Sequence, residues 1–288
     1  MIGFADLFVP VVMGILLGGL YALIALGLSL VFGVMRLINV AHGDLVVFGS
    51  YFAYAALTFF GIDPILSLIL GVPLLFTIGF AIQKFLMSRS FGVSMEAALI
   101  IAFGLSLVLQ NFNQMFWTPL SRGLTTSYSV ESFHIGEVFI PLPFAFDLVA
   151  ALVVMLSLWS FLKRTYLGKA ILAASQNKRG ALLMGVNTDR IYALTFGIAM
   201  ATAAMAGVFM GLTFPFSPTT GLSFLVISFG VIVIGGLGSM IGTFVGGIVM
   251  GLAQTLGAQF FGDAAQMLIA YSIVLVALSI RPQGIFGR

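Results

Sequence analysis

Four polar side chains interrupt an otherwise apolar stretch of this sequence: Arg36, Asn39, His42 and Asp44. Their spacing allows His42 to pair with Asp44, or with backbone carbonyls freed where a helix breaks. Ionisable groups within apolar sequence mark functional positions, because hydrocarbon tolerates an unpaired charge poorly. Two readings follow. The group fixes a turn at the inner membrane interface, with the Arg36 head reaching water, or it forms an intracellular gate or partner contact. Neither is enzymatic. No H-E-x-x-H, G-x-S-x-G or G-x-x-x-x-G-K-[ST] pattern occurs, and Gly168-Lys169-Ala170 lacks the glycine spacing and hydroxyl of a phosphate loop. His42 and His134 are too far apart in sequence to signal a metal site, and the absence of cysteine excludes thiol chemistry. No metal or cofactor is expected on this chain.

A second interruption, Gly235, Gly236, Gly238 and Ser239, also ends one apolar segment and begins another. Each interruption precedes a glycine-bearing segment, Gly49 in one case and Gly246-Gly247 in the other. Matched breaks in two halves of a transporter point to a substrate pathway, so 36–44 and 235–242 are expected to be counterparts. Glycines four apart recur at Gly14/Gly18, Gly207/Gly211, Gly242/Gly246 and Gly247/Gly251. They predict close helix packing, or a subunit or gating interface.

Membrane helices must carry these groups. Hydrophobic residues make up 61% of the 288-residue chain and charged residues 7%, with mean hydropathy +1.19; a soluble domain carries roughly a quarter charged residues. The expected fold class is all-α, a polytopic transmembrane helical bundle with glycine-rich interrupted helices. A hydrocarbon core about 30 Å thick needs roughly 20 residues per crossing. That places spans at 9–33, 43–60, 64–83, 95–117, 144–162, 191–214, 222–237, 240–258 and 264–280. Read as one long or re-entrant element, 222–258 gives eight segments and an outward C-terminus; read as two, it gives nine and an inward one. The start, MIGFADLFVP, lacks a basic region and a cleavage site, so the first span is expected to be retained.

The segment 163–190 orients the rest. It holds six of the twelve basic residues, Lys163, Arg164, Lys169, Lys178, Arg179 and Arg190, against Asp189 alone. Basic residues near span ends resist translocation, which predicts a cytoplasmic 163–190. Alternation then puts 84–92, Arg281 and Arg288 inside, and the N-terminus, Asp63, Glu131, Glu137, Asp147 and Asp263 outside. Trp117 and Trp159 fall at opposite interfaces. The proline-bearing 118–143 reads as an external loop. These basic residues are topology signals and imply no nucleic-acid partner. Asp44 and Glu96, the carboxylates nearest span sequence, are expected near the inner face, so ion coupling is not expected. Energy for active transport must then enter through another polypeptide, and a loop of this length offers it a docking surface.

The blocks Gly19–Ser29, Val34–Asp44, Leu183–Asn187 followed by Arg190-Ile191-Tyr192, and Gly235–Ser239 resemble the LivH-type permeases of branched-chain amino acid ABC transporters, in order along essentially the whole chain. The resemblance implies a single permease domain over 1–288 in the bacterial inner membrane, importing small amino acids, branched-chain above all. It implies a second related permease subunit, two cytoplasmic ATPases that bind the ATP and Mg, and a periplasmic solute-binding protein. It further implies that Gly168, Ala173, Ala174, Asn177, Ala181, Leu183, Met184 and Gly185 form the coupling element that seats in an ATPase. This chain departs from the general importer pattern at Leu172, where a glutamate precedes the paired alanines. Relatives with the same blocks serve urea, short amides or aromatic acids, and a channel or facilitator working without ATPases is the alternative class.

Overall fold

The computed structural model describes residues 4–89, 95–135, 138–281 and 283–287; Glu137, Arg288 and part of 84–92 lie outside the described residues. Eleven α-helices follow in order: α1 Phe4–Met35, α2 His42–Phe60, α3 Pro64–Ala81, α4 Met95–Trp117, α5 Leu142–Arg164, α6 Tyr166–Gln176, α7 Lys178–Leu183, α8 Thr188–Thr213, α9 Gly221–Gly235, α10 Met240–Phe261 and α11 Gln266–Ile280. A short hairpin, β1 Ser132–Ile135 with β2 Val138–Pro141, lies in the loop before α5. The boundaries follow local chemistry. Gly61 takes a left-handed φ of 65° to end α2, a conformation cheap only for glycine. Asp63 then caps α3, its carboxylate accepting from the Ile65 N–H at 2.8 Å.

Among the described residues, eight helices are long and apolar enough to cross a membrane, and the 15-residue α9 is shorter. At about 1.5 Å per residue α9 reaches about 22 Å, short of a core about 30 Å thick. Residues 222–258 form two antiparallel helices, as the two-segment reading expects. A Cβ on Gly242 would meet the Gly235 carbonyl, and one on Gly246 the Val231 carbonyl. The turn between them needs left-handed glycines, Gly236 at φ 104° and Gly238 at 83°. Gly238 touches Gly33 near the end of α1, and the tail adds N–H bonds from Ile285 to Ile234 O and from Phe286 to Gly235 O. The end of α1, the 236–239 turn, α6, α7 and the tail therefore share one face, termed the basic face.

The starts of α2 and α9 lie deep in the bundle. His42 Nε2 donates to Ile24 O at 2.9 Å, and Ile24 stands eleven residues before the end of α1, or about 16 Å along it. Residues 36–41 therefore climb back beside α1 before α2 begins. On the opposite face, the Phe216 N–H and carbonyl pair with Arg122, and its ring meets Tyr51 edge-on. The chain then descends to Gly221, which abuts Gly43 and Asp44. Two helix N-termini thus meet at the centre.

This arrangement is an inverted repeat. α1 followed by a re-entering segment and α2 matches, upside down, α8 followed by a re-entering segment and α9. α1 packs along α10 as α8 packs along α3. The counterpart of 36–44 is 214–221, correcting the expected pairing with 235–242, which is the tightly packed glycine turn between α9 and α10. The glycine pairs resolve as packing within the chain. Gly14 and Gly18 meet α10 near Gly247 and Gly251, Gly207 meets the backbone of α2, and Gly242 and Gly246 meet α9. Such contacts suit a membrane interior, where close backbone approach and interhelical bonds replace hydrophobic drive. Thr243 Oγ1 donating to Ser29 Oγ at 2.7 Å is one such bond.

Candidate functional site

Asn39, His42 and Asp44 are almost wholly buried, whereas Arg36 is exposed with a φ of 53°. The expected inner-interface group therefore divides: Arg36 stays at the basic face and the other three lie at the bundle centre. Asp44 does not pair with His42. Its Oδ2 accepts from Ser106 Oγ at 2.5 Å and its Oδ1 from Gln110 Nε2 at 3.0 Å, both on α4. Asp44 sits in the first turn of α2 beside the first residue of α9, where a carboxylate is favoured by both N-terminal dipole ends. Gly27 makes room for His42, since a Cβ there would lie 2.9 Å from the imidazole and 2.5 Å from Thr202 Oγ1. Asn39 Oδ1 accepts from the Ala41 N–H at 3.2 Å. Asn39 Nδ2 and His42 Nδ1 are buried without a partner among the described residues.

Three residues were missed on sequence. Ser106 and Gln110 carry a signal, polar side chains one turn apart on an apolar helix, which places both on one face. Asp147, expected outside, is fully buried near the start of α5 and accepts from Thr213 Oγ1 at 2.8 Å. Its signal was a carboxylate inside an apolar run. Asp44 and Asp147 are therefore both interior carboxylates, against the expectation of none. No group of three or more His, Cys, Asp or Glu side chains could hold a metal among the described residues.

α4 is fastened to α2 at a second level. Trp117 stacks on Tyr51 at 5.6 Å and meets Tyr54 edge-on. Arg122 donates to Tyr54 Oη at 2.7 Å and to Trp117 O at 2.9 Å. The same arginine pairs through its backbone with Phe216, so the 118–141 loop, α2, α4 and the descent into α9 are joined at one point. Beyond it, Tyr128 donates to Asp63 Oδ2 at 2.8 Å, and burial raises its hydroxyl to a pKa of about 12.

The expected coupling residues also divide. Gly168, Ala174 and Ala181 face inward; a Cβ on Gly168 would lie 2.1 Å from Phe161 O, so this glycine lets α6 fold back on α5. Inward side chains cannot be docking contacts. Ala173, Asn177, Leu183, Met184 and Gly185 are exposed. Asn177 caps α7 by accepting from the Gly180 N–H at 2.9 Å, and Gly185 ends the turn at φ 80°. Leu182, Leu183 and Met184 form an apolar tip, with Leu183 88% and Met184 83% exposed. In the second interruption Gly235 and Gly236 are buried turn and packing positions, Gly238 lies against Gly33, and Ser239 caps α10 by accepting from the Gly242 N–H at 3.1 Å.

Whole-chain comparison relates this sequence to known transport proteins. The sequence family described as branched-chain amino acid transport system / permease component matches residues 11–278. The chain is 33% identical to the high-affinity branched-chain amino acid transport system permease protein BraD of Pseudomonas aeruginosa, over 96% of this chain and 94% of that one. It is 31% identical to LivH of Escherichia coli over the same shares. It is 27% identical to the ribose import permease protein RbsC of Bacillus subtilis, over 76% of this chain and 68% of that one. Among solved structures, PsaBC from Streptococcus pneumoniae in complex with Fab shares the fold, with TM-score 0.52 and 15% identity over 98% of this chain and 94% of that chain. With its family match running from α1 through α2, the basic segment 163–190 and α9 into α11, the chain belongs to the branched-chain amino acid transport permease family.

Proposed function

We propose that this chain is a membrane-spanning subunit of an ABC importer for branched-chain amino acids. It pairs with a second related permease, takes energy from two cytoplasmic ATPases and receives solute from an external binding protein. The observation that carries the reading is the apolar tip. Leu182, Leu183 and Met184 project from a basic segment beyond the span ends, and an exposed apolar patch rimmed by polar residues marks a protein contact. Methionine and leucine adapt to a partner groove. The ATPase engages this tip from the cytoplasm, and its movement is passed through α6 and α8 to the half-helices. The likeness to a ribose permease supports a general role for this scaffold, with substrate choice resting on the binding protein.

Two outcomes are expected. Replacing Leu183 and Met184 with aspartate leaves insertion intact and abolishes co-purification of the ATPase and leucine uptake in proteoliposomes with binding protein and ATP. Full uptake by the inserted double variant would remove the tip from coupling. Leu183→Cys, placed in this Cys-free chain, is expected to resist an impermeant thiol reagent in intact cells and to react in inverted vesicles. Labelling in intact cells would reverse the orientation.

A further inference from the structure

A cavity of about 640 Å³ opens on the basic face between the end of α3 and the start of α8. Phe80, Lys84 and Ser88 line one side; Asn187, Asp189 and Arg190 line the other. α3 ends there in a π-helical turn, Ile82–Leu86, a distortion that re-aims side chains and recurs at functional sites. Lys84 lies in this turn, its ammonium 5.9 Å and 5.4 Å from the Phe80 and Phe85 ring centroids. Its stem thus runs over apolar surface with the charge at the cavity. Across from it, Asn187 Oδ1 accepts from the Arg190 N–H at 3.0 Å and fixes the first turn of the 26-residue α8, whose positive dipole end favours an anion. Two cations and this helix end stand against one carboxylate, Asp189.

Depth selects the ligand. Ile82 lies eighteen residues beyond Pro64 on a continuous helical path, about 27 Å at the helical rise, close to the thickness of the hydrocarbon core. The charges are therefore at headgroup level. Phe85 and Leu86, 61% and 40% exposed, continue apolar surface outward from the cavity mouth. A soluble anion has no use for that surface, whereas acyl chains do. We infer that the cavity binds the phosphate of an anionic phospholipid, held by Lys84 and Arg190. The site is independent of the transported solute.

Native mass spectrometry of the full chain in detergent, titrated with phosphatidylglycerol or with phosphatidylcholine of the same acyl chains, tests this. Wild type is expected to retain phosphatidylglycerol up to about twenty-fivefold more tightly, since each of the two basic residues near the headgroup contributes on the order of a fivefold preference and Asp189 offsets part of it. Lys84→Gln with Arg190→Gln abolishes the preference, Lys84→Arg keeps it, and Asp189→Asn strengthens it by removing the opposing charge. If the double variant unfolds, the Lys84→Arg and Asp189→Asn results carry the test. Equal retention of both lipids by wild type, or weakened phosphatidylglycerol binding in Asp189→Asn, overturns the site. Inorganic phosphate at millimolar concentration separates the sources: binding of phosphate without phosphatidylglycerol assigns a soluble anion and overturns the lipid.

Discussion

Gly43→Ala is expected to lower the thermal unfolding midpoint of the purified permease sharply, and Gly43→Leu to give no folded protein. A Cβ at this position would lie 1.9 Å from the Gly221 carbonyl oxygen and 2.7 Å from its carbon. Non-bonded carbon contacts settle near 3.5 Å, and both opposing atoms are backbone, so no rotamer change relieves the clash. The two half-helices must part, and the Asp44 bonds on one side and the packing of α9 on the other are stretched with them. Overpacking at such a junction costs about 3 kcal/mol or more. Gly104→Ala is the matched control. This glycine lies on α4 with no atom within 4 Å of its would-be Cβ, and alanine there gains up to about 1 kcal/mol of helix propensity. An unchanged midpoint for Gly43→Ala would mean that the half-helices do not meet at the centre.

Membrane crossing is legible because hydrocarbon thickness sets helix length: each of the nine apolar segments read on sequence overlaps a helix, and among the described residues all but α9 are long enough to cross. Depth is not legible in the same way. A helix that begins at the interface and one that begins at the bundle centre have the same period and composition, so 36–44 read as an interfacial turn. The clue was the length of α1, 32 residues, well beyond one crossing, which leaves its last turns for the chain to climb back along. Small residues posed a related ambiguity in the basic segment 163–190. Gly168, Ala174 and Ala181 suit a docking cleft and a tight interior contact equally, and only packing against α5 and the bundle separates them from the exposed Leu183 and Met184. The inverted repeat escaped notice because it is a repeat of backbone path: α2 starts His42-Gly43-Asp44 and α9 starts Gly221-Leu222-Ser223, with no side chain in common.

Asp44 is therefore expected to be coupled energetically to α4 and uncoupled from the residues beside it in sequence. Removing its carboxylate leaves the Ser106 hydroxyl and the Gln110 amide facing each other without their shared acceptor; hydrogen bonds to a charged group contribute roughly 1.5 to 3 kcal/mol each. Asp44→Ala should therefore cost about 3 kcal/mol, at the upper end of interior polar losses. Double-mutant cycles separate the partners. Asp44→Ala combined with Ser106→Ala is expected to show a coupling of at least about 1 kcal/mol, since the second substitution removes a group already orphaned by the first. Asp44→Ala combined with Arg36→Gln should be additive within about 0.5 kcal/mol, because Arg36 stays at the exposed end of α1 while Asp44 reaches across to α4. Unfolding in detergent gives the stability terms, and uptake in proteoliposomes asks whether the fastening moves in the cycle. A lock that must open would leave Ser106→Ala less stable yet faster in uptake than wild type, whereas a fixed strut would lose stability and uptake together. Measurable coupling to Arg36 with none to Ser106 would return Asp44 to the interface turn and overturn the central junction.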